Sequence, residues 1–340
     1  MTASKKIGFA VVGLGNIAKS SVLPAFAHTK NAKLVALVGR DKAIAQDLAR
    51  KFHVPVAYHT KEFAECVAQP EVDAVYIATP QASHLAYTIL AARAGKHILC
   101  EKPLAATVQQ SARMVKVCQQ HRVQLMTAYR KYFESSTLYL KHLIESGELG
   151  RIDLINTAFS ELHIPGISPP WMLEKKEAGG GPLMDLGVYC INTSRWLINE
   201  DPVQVSAVSW RHDRERFRSV EEGISFRMHF ASGSLVQGSS TYSAAISSFL
   251  FIQGSKGWVS LTPAFPFDEE RHLTGKIGGR LLTRKFKVMD EFAPEIDAFA
   301  SAIQSQRPVQ PDGVQGHRDM TILQAMYKSA KKRKAVVVRY

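Results

Sequence analysis

Ile7–Val12 is a nearly unbroken apolar run, the pattern of a strand buried on both faces. It breaks at Gly13-Leu14-Gly15 and is followed by a helix-period stretch from Asn16 to about Phe26. The same alternation continues. Lys33–Val38, a short strand near Val56-Ala57-Tyr58, Ala74–Ile77, His97–Cys100 and Gln124–Ala128 read as strands. Lys42–Lys51, His84–Ala94 and Ala106–His121 read as helices between them. Short apolar strands separated by single helices predict a doubly wound parallel sheet of the Rossmann type with right-handed crossovers.

The rhythm changes after about Gly150. Ile152–Ser160, Val203–Arg211, Gly223–Phe230, Ser234–Tyr242, Ser248–Gln253 and Gly257–Leu261 read as strands, several joined by short turns such as Ala231-Ser232-Gly233. The apolar helix Gly187–Ile198 interrupts them, and helices at Phe292–Ser305 and Gly313–Lys331 follow. Consecutive strands predict an open, mostly antiparallel sheet in an α+β domain. The expected organisation is a dinucleotide-binding domain over 1–128, a substrate and oligomerisation domain over 129–316, and a C-terminal helix and tail over 317–340.

Candidate chemistry falls where strands end. Gly13, Gly15 and Ala18 occupy the small positions of a nucleotide fingerprint, between an apolar strand and a helix. The first permits a tight turn and the second lets backbone approach a pyrophosphate. The third lets helix and strand pack closely, with Asn16 and Ile17 beside it in the first helical turn. The second strand ends in Val38-Gly39-Arg40-Asp41-Lys42. Arg40 and Lys42 suit the 2′-phosphate of NADP, whereas Asp41, one residue along, suits the ribose hydroxyls of NAD. The charge argument gives preference to NADP. Thr79-Pro80-Gln81 with His84 reads equally as a loop beneath a nicotinamide or as turn chemistry before a capped helix.

Glu101-Lys102-Pro103 ends a further strand, so Lys102 is placed at the carboxyl edge of the sheet, where ligands of open α/β sheets sit. In Gly179-Gly180-Gly181-Pro182-Leu183-Met184-Asp185-Leu186-Gly187-Val188-Tyr189, the glycines permit close approach of a ligand or of a neighbouring element. Asp185 and Tyr189 are spaced to share a helix face. A lysine ammonium beside a tyrosine hydroxyl favours tyrosinate, and such a pair suits proton removal from a carbinol that is losing a hydride.

Composition narrows the setting. Of 340 residues, 46% are hydrophobic and 21% charged, ordinary for a globular chain of about two domains. The four cysteines, Cys66, Cys100, Cys118 and Cys190, show neither CxxC pairing nor metal-ligand spacing; they read as reduced and mostly buried, with no metal site and a cytoplasmic setting expected. No run approaches membrane-spanning length, and the apolar run after Lys5-Lys6 reads as a first strand and not as an export signal. The net charge of +13 is partly gathered in Lys328, Lys331, Lys332, Arg333, Lys334 and Arg339. That segment has no interleaved aromatics, so it reads as a solvated or anion-attracting surface; neither a nucleic-acid nor a membrane partner is expected.

Taken together, Gly13-Leu14-Gly15, Thr79-Pro80, Glu101-Lys102-Pro103, Ala128-Tyr129-Arg130 and Gly179–Gly181 through Arg195-Trp196-Leu197 resemble the glucose-fructose oxidoreductase / inositol dehydrogenase (Gfo/Idh/MocA) family. The resemblance continues through Gly238–Ser243 and Ile322–Ala330. Tyr189 stands where most branches carry histidine, which is similar to the branch with aldose and xylose dehydrogenases and dihydrodiol dehydrogenases. Gln81 stands where asparagine is frequent.

The resemblance implies an NADP-dependent oxidoreductase that oxidises an aldose at C1 to a lactone. It implies Lys102 and Tyr189 as the catalytic pair and Asp185 as a sugar-binding or orienting residue. It places Thr79, Pro80, Gln81, His84, Glu101, Arg130 and Trp171 about the cofactor or substrate. It also implies a homo-oligomer, dimer or tetramer, formed through the C-terminal sheet. Reduction of a ketose or dicarbonyl, oxidation of a trans-dihydrodiol, and a sugar- or nucleotide-sensing regulator remain the competing readings.

Overall fold

A computed structural model describes residues 5–340, and they form two units. One comprises the chain as far as Arg130 together with Asp290–His317; the other comprises Lys131–Met289 with Arg318–Tyr340.

In the first unit, β1 (Ile7–Val12), β2 (Ala32–Gly39), β3 (Val56–His59), β4 (Ala74–Ile77), β5 (His97–Glu101) and β6 (Leu125–Ala128) form one sheet in the order β3-β2-β1-β4-β5-β6. Every pairing is parallel. The connecting helices are α1 (Leu23–Ala25, entered through helical turns at Ala18–Val22), α2 (Lys42–Lys51), α3 (Phe63–Ala68), α4 (His84–Arg93) and α5 (Val108–Gln120). The chain order turns back between β1 and β4, so the crevice of the doubly wound fold lies at their carboxyl ends. Val12, Ile77 and Cys100 near those ends are fully buried, as a two-sided sheet requires.

The second unit contains α6 (Ser135–Glu145), α7 (Lys175–Ala178), α8 (Val188–Ile198), and nine strands in one sheet. The strands are β7 (Ile152–Ser160), β8 (Pro202–Trp210), β9 (Gly223–Phe230), β10 (Leu235–Thr241), β11 (Ser247–Gly254), β12 (Gly257–Thr262), β13 (Arg271–Ile277), β14 (Arg280–Phe286) and β15 (Val336–Val337). Their order is β14-β13-β12-β11-β7-β10-β9-β8-β15. The sheet is antiparallel except where β10 pairs with β7 in parallel. The mostly antiparallel expectation therefore holds, with one parallel pair made across the long segment carrying α7, α8, β8 and β9.

Helix α9 (Phe292–Gln304) belongs to the first unit, where Phe299 packs 6.1 Å from the ring of Phe9 on β1. Helix α10 (Gly313–Lys332) begins in the first unit and continues in the second. No described helix is long and apolar enough to cross a membrane. All four cysteines are buried and unbridged, and burial pushes the thiols of Cys66, Cys118 and Cys190 up to about 12.

Candidate active site

At the end of β1 the backbone turns at Gly13, whose φ is +94° and whose N–H donates to Val38 O at 3.0 Å. A Cβ there would lie 2.5 Å from Ala78 O and 2.7 Å from Thr79 Cγ2, so only glycine fits between the ends of β2 and β4. Gly15 is the opposite case: a Cβ would meet nothing within 4 Å. That open backbone is where a pyrophosphate fits, against N–H groups at the start of a helix. Ala18 is fully buried and closes the helix onto the sheet, while Asn16 is exposed and Ile17 half-buried beside the opening.

The edge of β2 separates three candidates that lie side by side in the chain. Asp41 caps α2, its Oδ1 accepting from Ala43 N at 2.9 Å and Ile44 N at 3.1 Å. Lys42 Nζ donates to both carboxylate oxygens of Glu62, at 2.7 and 2.9 Å. Arg40 is exposed, its charge acts on Tyr87, and among the described residues it takes part in neither a cap nor an ion pair. Gly39 leaves no vacant room, since a Cβ would sit 2.9 Å from Leu14 Cδ1.

The loops after β4 and β5 are tied together through His84. Its Nε2 lies 2.8 Å from Thr79 O and its Nδ1 3.1 Å from Leu104 O. Burial lowers the His84 pKa, with the facing carbonyls acting in the opposite direction. Ser83 Oγ donates to Thr79 Oγ1 at 2.7 Å, and Pro80 and Gln81 complete the loop. Gln81 is buried and its Oε1 has no protein partner.

Lys102 follows directly on β5 and is half-buried. Beneath it, Glu101 accepts from Tyr76 OH at 2.8 Å and from Lys102 N at 3.2 Å; burial raises its pKa. Arg130, after β6, is buried and ion-paired with Glu291. The pattern of the chain does not point to Tyr76 or Glu291; no local signal marks an interior tyrosine as a partner of Glu101, or a glutamate at the start of α9 as a partner of Arg130 so far upstream. The first unit thus gathers Gly13, Gly15, Thr79, His84 and Lys102 along one sheet edge.

The second unit carries Trp171, Asp185 and Tyr189. Trp171 lies in the short turn Pro170–Leu173 and is half-buried. Leu183–Gly187 form one wide helical turn that continues into α8, so Asp185 and Tyr189 follow one another along a single helical path. Tyr242 OH donates to Asp185 Oδ2 at 3.1 Å. The Tyr189 ring is buried beside Phe159 and Phe265, at 5.9 and 6.0 Å.

The fold and this nucleotide-type turn define a Rossmann oxidoreductase. The chain belongs to the Gfo/Idh/MocA oxidoreductase family, whose NAD-binding Rossmann fold matches residues 7–129 and whose C-terminal domain matches residues 137–260. It is 31% identical over 327 residues to an NADP(+)-dependent D-xylose 1-dehydrogenase of Haloarcula marismortui, covering 95% of this chain and 91% of that one. The crystal structure of an aldose-aldose oxidoreductase from Caulobacter crescentus, complexed with glycerol, superposes with a TM-score of 0.93 at 32% identity, covering 98% of this chain and all of that one. The mouse trans-1,2-dihydrobenzene-1,2-diol dehydrogenase is 31% identical over 248 residues, 71% of this chain and 68% of that one.

Proposed function

We propose that the protein is an NADP-dependent sugar dehydrogenase that oxidises an aldose at C1 to the lactone. The observation that carries the cofactor choice is the β2 edge, where Asp41 is spent on capping α2 and Arg40 stands open for a 2′-phosphate. Full-length likeness to a D-xylose dehydrogenase and an aldose oxidoreductase supports the substrate class. When bound, the nicotinamide accepts the hydride at C4.

The chain's own residues handle the proton and the orientation. Tyr189 takes the carbinol proton as the C1–H bond breaks, and the Lys102 ammonium hydrogen-bonds the reacting oxygen. Asp185, one oxygen held by Tyr242, accepts from a sugar hydroxyl. Gly13, Gly15, Asn16, Ile17, Ala18, Arg40, Lys42, Thr79, Pro80, Gln81, His84, Glu101 and Arg130 are assigned to the cofactor side, with Trp171 beside the substrate. We assign the protein to the cytoplasm and to a homo-oligomer built on the open sheet.

The test is Tyr189→Phe, assayed with NADP+ and D-xylose or D-glucose by the absorbance of reduced nicotinamide. Turnover falls by about three orders of magnitude, while NADP+ affinity stays close to that of the parent. Unchanged turnover would remove Tyr189 from the chemistry.

A second reading, favoured by the Caulobacter likeness, has reduction of another aldose regenerate the oxidised cofactor. Nucleotide released from freshly purified, denatured protein, together with an equimolar pair of oxidised and reduced sugars, distinguishes it from a dehydrogenase that exchanges NADP each turnover.

A further inference from the structure

Glu221 lies just before β9, 5% exposed, and three donors converge on its carboxylate. Its Oε2 accepts from Gly181 N at 3.1 Å; its Oε1 accepts from Leu183 N at 3.1 Å and from Tyr327 OH at 2.8 Å. Both amides belong to the start of the helical path that carries Asp185 and Tyr189. Such amides have no partner within their own helix, and here a carboxylate from the segment leading into β9 supplies one.

The triple glycine fits this clamp. A Cβ on Gly180 would lie 2.0 Å from Tyr327 OH, and one on Gly181 would lie 2.5 Å from Glu221 O and 3.1 Å from its Cδ. The close approach that the glycines permit is therefore to Glu221 and Tyr327 of the same unit. Downstream, Tyr242 holds Asp185 itself. From Leu183 to Tyr189 the path is continuously helical, so an error at its start is passed to both side chains.

We propose that Glu221, acting with Tyr327, is a positioning residue that sets the register of Asp185 and Tyr189. The proposal rests on the roles given to those two residues above. A carboxylate suits the task better than an amide, because N–H groups arrive at both of its oxygens. Glutamine presents an NH2 group to one of them, leaving a donor facing a donor.

Glu221→Gln and Tyr327→Phe are made in the full chain loaded with NADP+ and compared with the parent. Hydrogen exchange is followed in peptides spanning residues 179–189, alongside NADP+ affinity and kinetics on D-xylose. Both variants exchange faster in that segment, and kcat/KM for D-xylose falls about tenfold or more, mainly through kcat, with NADP+ affinity within about twofold. Tyr327→Phe removes a single hydroxyl and keeps the ring, so it remains decisive if Glu221→Gln folds poorly. Unchanged exchange in both variants overturns the clamp; faster exchange with kcat/KM held within about twofold overturns its catalytic consequence. Full turnover by Tyr189→Phe would instead remove the functional reading, and the exchange measurement would still decide the clamp.

Discussion

At the scale of single residues, neighbours in the chain divide the work at the nucleotide edge. Asp41 caps α2 and Lys42 pairs with Glu62, whereas among the described residues Arg40 is exposed and takes part in neither a cap nor an ion pair. Arg40→Ala is therefore expected to weaken NADP+ binding by about tenfold with little change for NAD+, whereas Lys42→Ala costs less than about threefold. Titration of both cofactors against each variant checks this, and equal effects on NADP+ would give Lys42 the same share of the phosphate as Arg40. The glycine turn after β1 and the place of Lys102 at the end of β5 were legible because their motifs are local. Which of Arg40, Asp41 and Lys42 is engaged within the unit was not, since it depends on a helix cap and on Glu62 twenty residues further along.

A second residue-scale consequence concerns Glu295, fully buried with neither carboxylate oxygen hydrogen-bonded. Burial raises its pKa well above the ordinary value, with Glu101 and Glu291 adding to the rise and Arg130 opposing it. A carboxyl raised in the folded state stabilises the fold while protonated, and that contribution is lost as pH rises through the folded value. Glu295→Gln should thus gain on the parent progressively as pH increases. Thermal melts of both proteins over a pH series test this; a constant difference would mean that Glu295 does not titrate in that range.

Elements announced themselves in proportion to their patterning. Strands β1, β4 and β5 were legible as apolar runs, and β7, β9 and β10 as alternating ones. The β13–β14 hairpin was missed because most positions of β14 are exposed, so no apolar face alternates. The signal that would have found it is Gly278-Gly279, with φ of +55° and +83°, between two seven-residue strands.

Side chains of α8 and α10 are joined by an ionic network equally hidden from local reading. Arg195 pairs with both Asp201 and Asp319, and Asn192 Nδ2 donates to Asp319 at 2.8 Å. Asp319→Ala leaves a buried guanidinium short of one partner and is expected to cost roughly 3 kcal/mol. Chemical denaturation measures the loss; a change under about 1 kcal/mol would show that Asp201 alone satisfies Arg195.

At the scale of the whole molecule, the open sheet leaves an apolar patch. The rings of Phe251 and Trp258 on β11 and β12 lie 5.7 Å apart, tilted by 41°, and Trp258 and Phe249 are each 36% exposed. A face of this kind is expected to be covered by a second copy of the chain. Light scattering should report a dimer or larger species that Trp258→Asp shifts towards monomer, and a monomeric parent protein would remove the oligomer proposal. The two kinds of sheet were legible because the periodicity switches near Gly150. The return of α9 to the first unit was not, since it depends on Phe299 meeting Phe9 across most of the chain.

That return gives biosynthesis an order. At about 5–20 residues per second, Phe9 emerges from the ribosome roughly 15–60 s before Phe299 exists to cover it. For that interval Phe9 has Phe26, made soon after it and 5.4 Å away, as a ring neighbour, and Phe299 is still to come. Completion of the nucleotide fold is thereby timed by a helix made only after nearly all of the second unit.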